Sequence, residues 1–229
     1  RKPGQTRIEL TQTNVNILKS ITPEIVKVAP HALYIIVSNP VDIMTYVFTK
    51  ISGLPENQIM GSGTILDTAR LRYGLSEHFK VAQGNIHAYV FGEHGDTSFI
   101  PWTGAYISGL STDEYYEEMK AHGKDVKPLD KEAMLEYVQK SGGKVIAKKG
   151  ATFYAVSATV CQLVGLILAA SDSLATVSSM LHGEYGIEDV CLSTLTLVGP
   201  NGTQGKVQMR MNKEEVALLK KSADALKEV

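Results

Sequence analysis

Between residues 9 and 28 the apolar side chains Leu10, Val15, Ile17, Leu18, Ile21, Ile25 and Val28 recur at largely helical spacing, which predicts a helix there. Pro23, inside that span, has no N–H to give and its ring crowds the preceding turn, so a bend is expected. The pattern changes at ALYIIVSNP (32–40), a short unbroken apolar run rich in β-branched residues and closed by Ser-Asn-Pro. It reads as a strand buried on both faces, the habit of parallel sheets. VDIMTYVFTKIS (41–52) returns to helical spacing and stops near Gly53. QIMGSG (58–63) reads as a second strand and TILDTARLRYGLSEHF (64–79) as a helix. Strands alternating with helices make an α/β unit. Residues 1–8, which include Pro3 and Gly4, read as a loop.

The second half has a different rhythm. IHAYVFG (86–92) reads as a strand, and residues 130–150 and 151–171 as two long helices separated by Gly150. LATVSSMLHG (174–183) and VCLSTLTLVG (190–199) read as strands, followed by a hairpin turn at GPNGTQG (199–205) that leads into KVQMRM (206–211). From Asn212, a good N-cap, an amphipathic helix runs to the end. There is no repeat and no low-complexity tract. A division into two units falls near residues 62–80.

Composition narrows the class of protein without naming it. With 229 residues, 44% hydrophobic and 21% charged, the chain has the make-up of an ordinary globular protein. A net charge of −1 gives no reason to expect nucleic acid or an anionic membrane as partner. Cys161 and Cys191 both lie in apolar stretches and read as reduced core residues, which favours a cytoplasmic location. CQLVGLILAA (161–170) is too short to cross a bilayer and reads as a buried helix. The chain opens on RKPGQTRIEL with no methionine, which reads as an interior cut and suggests a fragment.

Candidate chemistry lies at the ends of the apolar runs. No G-x-G-x-x-G occurs; Gly61-Ser-Gly63 has only part of that pattern. Asn39 and Ser62 follow the two early strands, where open parallel sheets bind ligands, although a turn asparagine would explain Asn39 equally well. Asp67 and Arg70 are three apart on one helix and share a face; a surface ion pair is the plainer explanation. His94 is the most informative residue. It sits in VFGEHGDTS between Gly92 and Gly95, beside Glu93 and Asp96, and an imidazole can give and take a proton near neutral pH. A metal centre is not expected, because no second His or Cys stands at ligand spacing.

Taken together, KPGQTR, VSNPVDI, GSGTILDTARLR and GEHGDTS resemble motifs of the L-lactate/L-malate dehydrogenase family, in that family's order and spacing and across the whole chain. The resemblance implies a fold: the C-terminal part of a Rossmann-type NAD-binding domain (1–62, with a mobile active-site loop at 1–8) followed by an α+β catalytic domain (63–229). The segment carrying the glycine-rich cofactor loop would precede Arg1, and residues 1–229 alone would then be inactive. It implies NAD as cofactor, with Val37, Asn39 and Ser62 on the cofactor side. His94 would be the acid–base group, Asp67 its hydrogen-bonding partner, Arg70 the clamp on the substrate carboxylate, and Arg7 the loop residue that polarises the carbonyl. Asn39 would also touch substrate.

Glu93 and Thr152 match the lactate branch, which predicts NADH-dependent reduction of pyruvate to (S)-lactate in glycolysis or fermentation. Arg1 matches the malate branch, where it would meet the second carboxylate of oxaloacetate. Arg72 and His87 stand where the family's allosteric members bind fructose 1,6-bisphosphate between subunits, so a homotetramer with that effector is expected. A reading of another class is a non-catalytic remnant or assembly module.

Overall fold

A computed structural model describes residues 7–229, with side chains from residue 11 onward. The first helix, α1, spans Arg7–Val28, so residues 7 and 8 are helical rather than loop. It runs through Pro23 as one continuous helix. Its apolar stripe is split. Leu18 is buried and, with Val15 and Val26, packs on Met44 and Phe48, whereas Ile17, Ile21, Ile25 and Val28 are exposed.

Strand β1 (Tyr34–Ile36), helix α2 (Val41–Ser52) and strand β2 (Ile59–Gly61) form a parallel β–α–β crossover, with Tyr34 opposite Ile59 and Ile36 opposite Gly61. The expectation that the first strand is buried on both faces fails. All of β1 is half-buried, because it is the edge strand among the described residues. Helix α3 (Ile65–Phe79) follows β2 at once.

Of IHAYVFG only β3 (Ile86–His87) is strand, and it pairs with β4 (Tyr106–Ile107), which pairs in turn with β5 (Leu110–Ser111). Phe91 and Gly92 instead make isolated bridges to Phe99 and Ser193. Helix α4 (Thr112–Ala121), which the apolar pattern does not announce, starts with a reciprocal cap between Ser111 and Glu114. Helices α5 (Lys131–Lys149) and α6 (Tyr154–Ile167) are separated by Gly150 as expected. The expected burial of residues 161–170 is only half right. Thr159, Leu163 and Ile167 turn inward, but Cys161, Val164 and Leu168 are exposed, so only Cys191 is a core cysteine.

The two long apolar runs near the C-terminus each divide. Residues 174–183 give β6 (Ser173–Ala175) and β7 (Ser178–His182); 190–199 give β8 (Glu188–Ser193) and β9 (Thr196–Gly199). Each run crosses from one sheet to another, since β7 and β8 extend the β1–β2 sheet while β6, β9 and β10 (Gly202–Lys206) form a second. The last strand therefore starts inside the expected turn, and most of KVQMRM lies outside it. Helix α7 (Lys213–Lys227) opens with Asn212 in a capping box with Glu215. Among the described residues no helix is long and apolar enough to cross a membrane.

Candidate active site

Two strand ends and one loop converge. Beyond the C-terminal end of β1 the chain passes through Val37 to Asn39, and beyond β2 through Ser62 and Gly63. Gly63 has φ +48°, and a Cβ there would come within 2.4 Å of Ser193 Oγ and 2.6 Å of the Ser178 nitrogen, so no larger residue fits. Val37, Asn39, Ser62 and His94 line a single cavity of about 40 Å³, closed on its other side by Val156 and Thr159 of α6.

His94 reaches this cavity on a tightly clamped loop. Phe91 and Phe99 exchange backbone hydrogen bonds of 2.9 and 3.0 Å, and the Gly92 N–H donates to Ser193 O at 3.0 Å. Gly92 has φ +96°, and a Cβ would strike Ser222 Oγ at 2.7 Å. The Glu93 N–H donates to that hydroxyl at 2.7 Å. Glu93 itself is buried and accepts from Thr97 Oγ1 at 2.6 Å; it braces the loop and does not line the cavity. The His94 N–H donates to Asp42 Oδ2 at 2.8 Å.

The imidazole Nδ1 lies 2.6 Å from Asp67 Oδ2, leaving Nε2 for the cavity. Arg70 binds the other oxygen of the same carboxylate, Nη1 to Oδ1 at 3.0 Å. The Asp67 and Arg70 side chains are 7% and 16% exposed, so this is not the surface ion pair that spacing alone would suggest. Burial on its own would push the His94 pKa down; the Asp67 hydrogen bond and the charges of Asp67 and Asp42 outweigh it, against Arg70, and the net direction is up. The result is an imidazole whose protonated form is favoured, held at Nδ1 by Asp67, beside an arginine that binds the same carboxylate and does not itself line the cavity.

Other expected site residues are placed differently. Thr152 is half-buried in the link between α5 and α6 and is not part of the cavity lining. Arg72 donates to Ala88 O at 3.1 Å, stacks over Tyr89 and borders a separate cavity of about 170 Å³; His87 is exposed and does not line it. Arg1 and the side chain of Arg7 lie outside the described residues. The sequence reading missed Val156, Thr159 and, above all, Asp42. A larger cavity, about 490 Å³ between α1, α2, β8 and α7, is not lined by His94 or Asp67.

Models of two families match the chain: lactate/malate dehydrogenase, NAD binding domain, over residues 1–61, and lactate/malate dehydrogenase, alpha/beta C-terminal domain, over residues 64–229. The L-lactate dehydrogenase of Acetivibrio thermocellus is 45% identical over 229 residues, which is all of this chain and 71% of that protein. L-lactate dehydrogenase 1 of Clostridium acetobutylicum is 46% identical over 228 residues, covering 72% of its length. Among solved structures, an L-lactate dehydrogenase from Clostridium thermocellum superposes with a TM-score of 0.89 at 38% identity, over 98% of this chain and 73% of that one. A lactate dehydrogenase from a Medee basin deep-sea metagenome library gives 0.93 at 30% identity, over 100% and 72%.

Proposed function

The chain belongs to the lactate/malate dehydrogenase family, and from that premise we propose that it is an NAD-dependent L-lactate dehydrogenase, interconverting pyruvate and (S)-lactate. The observation that carries this reading is the His94–Asp67 pair, seated where β1 and β2 end and beside Asn39 and Ser62. The full-length L-lactate dehydrogenases at 40–46% identity support lactate over malate.

The residues at the cavity fit a nicotinamide cofactor. Parallel strands end there, Val37 offers an apolar wall, and Asn39 and Ser62 offer polar contacts. When bound, NADH supplies the hydride. His94 Nε2 then donates its proton to the carbonyl oxygen, and Asp67 steadies the imidazole in both protonation states. Arg70 turns its planar fork to the substrate carboxylate, which fixes the face presented for reaction. Arg7, at the start of α1, would polarise the carbonyl, and Thr152 and Arg1 would read the substrate's third carbon. The cofactor half would comprise residues 1–62 and the substrate half 63–229. The enzyme would act in the cytoplasm as a homotetramer, with Arg72 and His87 meeting fructose 1,6-bisphosphate where subunits pair.

The test compares kcat/KM for pyruvate and oxaloacetate at saturating NADH. A preference for pyruvate is expected; a clear preference for oxaloacetate would move the chain to the malate branch, with Arg1 as the first suspect.

A further inference from the structure

One buried carboxylate has no role in the chemistry above. Asp42, in the first turn of α2, is 2% exposed. Its Oδ2 accepts the His94 backbone N–H at 2.8 Å, and its Oδ1 has no hydrogen-bond partner. The hydroxyls of Ser178 and Ser193 are also buried without partners, and these two serines face each other across the β7–β8 pair. Ser178 is also the β7 residue opposite Gly61 at the end of β2, and Ser193 Oγ presses on Gly63. A patch of polar atoms therefore lies beneath the His94 loop, behind the strand end that carries Ser62.

Burying a carboxylate costs several kcal/mol unless hydrogen bonds or opposite charge compensate it. The first turn of α2 offsets part of that cost through the helix dipole, but an exposed Asp would gain the same benefit. What the buried position adds is contact with the backbone amide of the histidine itself.

We infer that Asp42 is a positioning residue for the hydride-transfer reaction: its carboxylate pins the loop at the His94 amide and gives the imidazole a second negative neighbour in addition to Asp67. This rests on the reading of His94 as the acid–base group. The charged groups acting on His94 are Asp42 from α2 and Asp67 and Arg70 from α3. Those acting on Asp42 are fewer. Burial pushes its own pKa up, and outweighs the amide and charge of His94, which pull it down.

The test uses the intact enzyme and two substitutions that separate hydrogen bond from charge. Asp42→Asn keeps a carbonyl oxygen for the His94 N–H and removes the charge. It should move the alkaline limb of the kcat/KM profile for pyruvate to lower pH, and move the His94 ring titration, followed by 15N NMR, in the same direction. The loss of activity should be least at acid pH and grow with pH, and the shift should be smaller than that from Asp67→Asn. Asp42→Ala removes both contributions; kcat should fall at every pH and the His94 amide should exchange with solvent faster. A His94 titration unmoved by Asp42→Asn, with a pH-independent loss that follows thermal stability, would reduce Asp42 to packing and overturn the proposal. His94→Asn separates the two levels: normal turnover in that variant sinks the acid–base reading, whereas an inactive His94→Asn beside an unmoved titration in Asp42→Asn sinks only this one.

Discussion

Among the described residues are two histidine–carboxylate pairs of almost the same length, and only one of them sits at the candidate site. His94 meets Asp67 at 2.6 Å; His182, at the end of β7, meets Glu56 at 2.5 Å. Both histidines lie beside glycine and glutamate in sequence, in GEHG in one case and HGEYG in the other. The difference is burial. The first pair is 29% and 7% exposed, the second 63% and 45%. Around Asp67 water is replaced by Arg70 on the second carboxylate oxygen, so each oxygen has a protein partner and the imidazole is held from one side only. Around Glu56 solvent competes for every contact, and salt screens what remains. A short distance records that two groups meet; the dielectric around them decides whether the meeting can do chemistry.

The strongest way to break this comparison is to remove each imidazole in turn. His94→Asn should lower kcat for pyruvate reduction by about 10²–10⁴-fold, the usual worth of a positioned proton donor, while His182→Asn should leave it at the wild-type rate. Equal losses in steady-state assays would mean that burial is not the deciding variable. Next in size is Arg70→Lys, which keeps the charge and loses the planar fork. With charge-assisted hydrogen bonds worth about 1.5–3 kcal/mol, KM for pyruvate should rise roughly ten- to a hundredfold, with kcat affected less.

The pH profile sharpens the contrast. Reduction needs His94 protonated, and its pKa is raised, so kcat/KM should fall as pH rises through that elevated value. The same shift contributes stability that is complete below the ordinary imidazole range and lost as pH climbs through the folded-state pKa. Asp67→Asn should bring the kinetic midpoint down, because burial and Arg70 then act without their main opponent. A midpoint unchanged in that variant would show that Asp67 does not hold the proton. The smallest effect is expected at the surface. Glu56→Gln should change stability by no more than about 1 kcal/mol, read as a shift in the urea midpoint, with no change in turnover.

How far the chain could be read in advance follows the same division between local and distant causes. Helix α2 was legible to the residue because its spacing and the glycine that stops it are neighbours in sequence. The two long apolar runs were not, because the point where each leaves one sheet for another depends on partner strands, not on its own composition. Residues 161–170 are apolar but for Gln162, and nothing local says that Cys161 faces water while Leu163 is buried. Asn39 and Ser62 were legible as site candidates because each follows a strand, Asp67 and Arg70 because they share a helix face, and His94 because of its glycine-flanked polar setting. Asp42 was hidden. In sequence it is an ordinary acidic residue at a helix start, and only the fold brings the His94 amide, 52 residues on, over its carboxylate.

The clamps on the His94 loop also set when a newly made molecule can become competent. Its neighbour Glu93 hangs from Ser222, 129 residues later, and Gly92 from Ser193. Contacts of such long sequence separation carry a loop-closure cost and come late in folding. During synthesis the chain emerges N-terminus first, so Asp67 and Arg70 can be carried on a formed helix while the loop still has nothing to hang from. A nascent chain halted before Asn212 would own every charged residue of the reaction centre described here and lack the hydroxyl that holds the loop in place. Competence therefore waits on the final helix, which contributes no group to the chemistry.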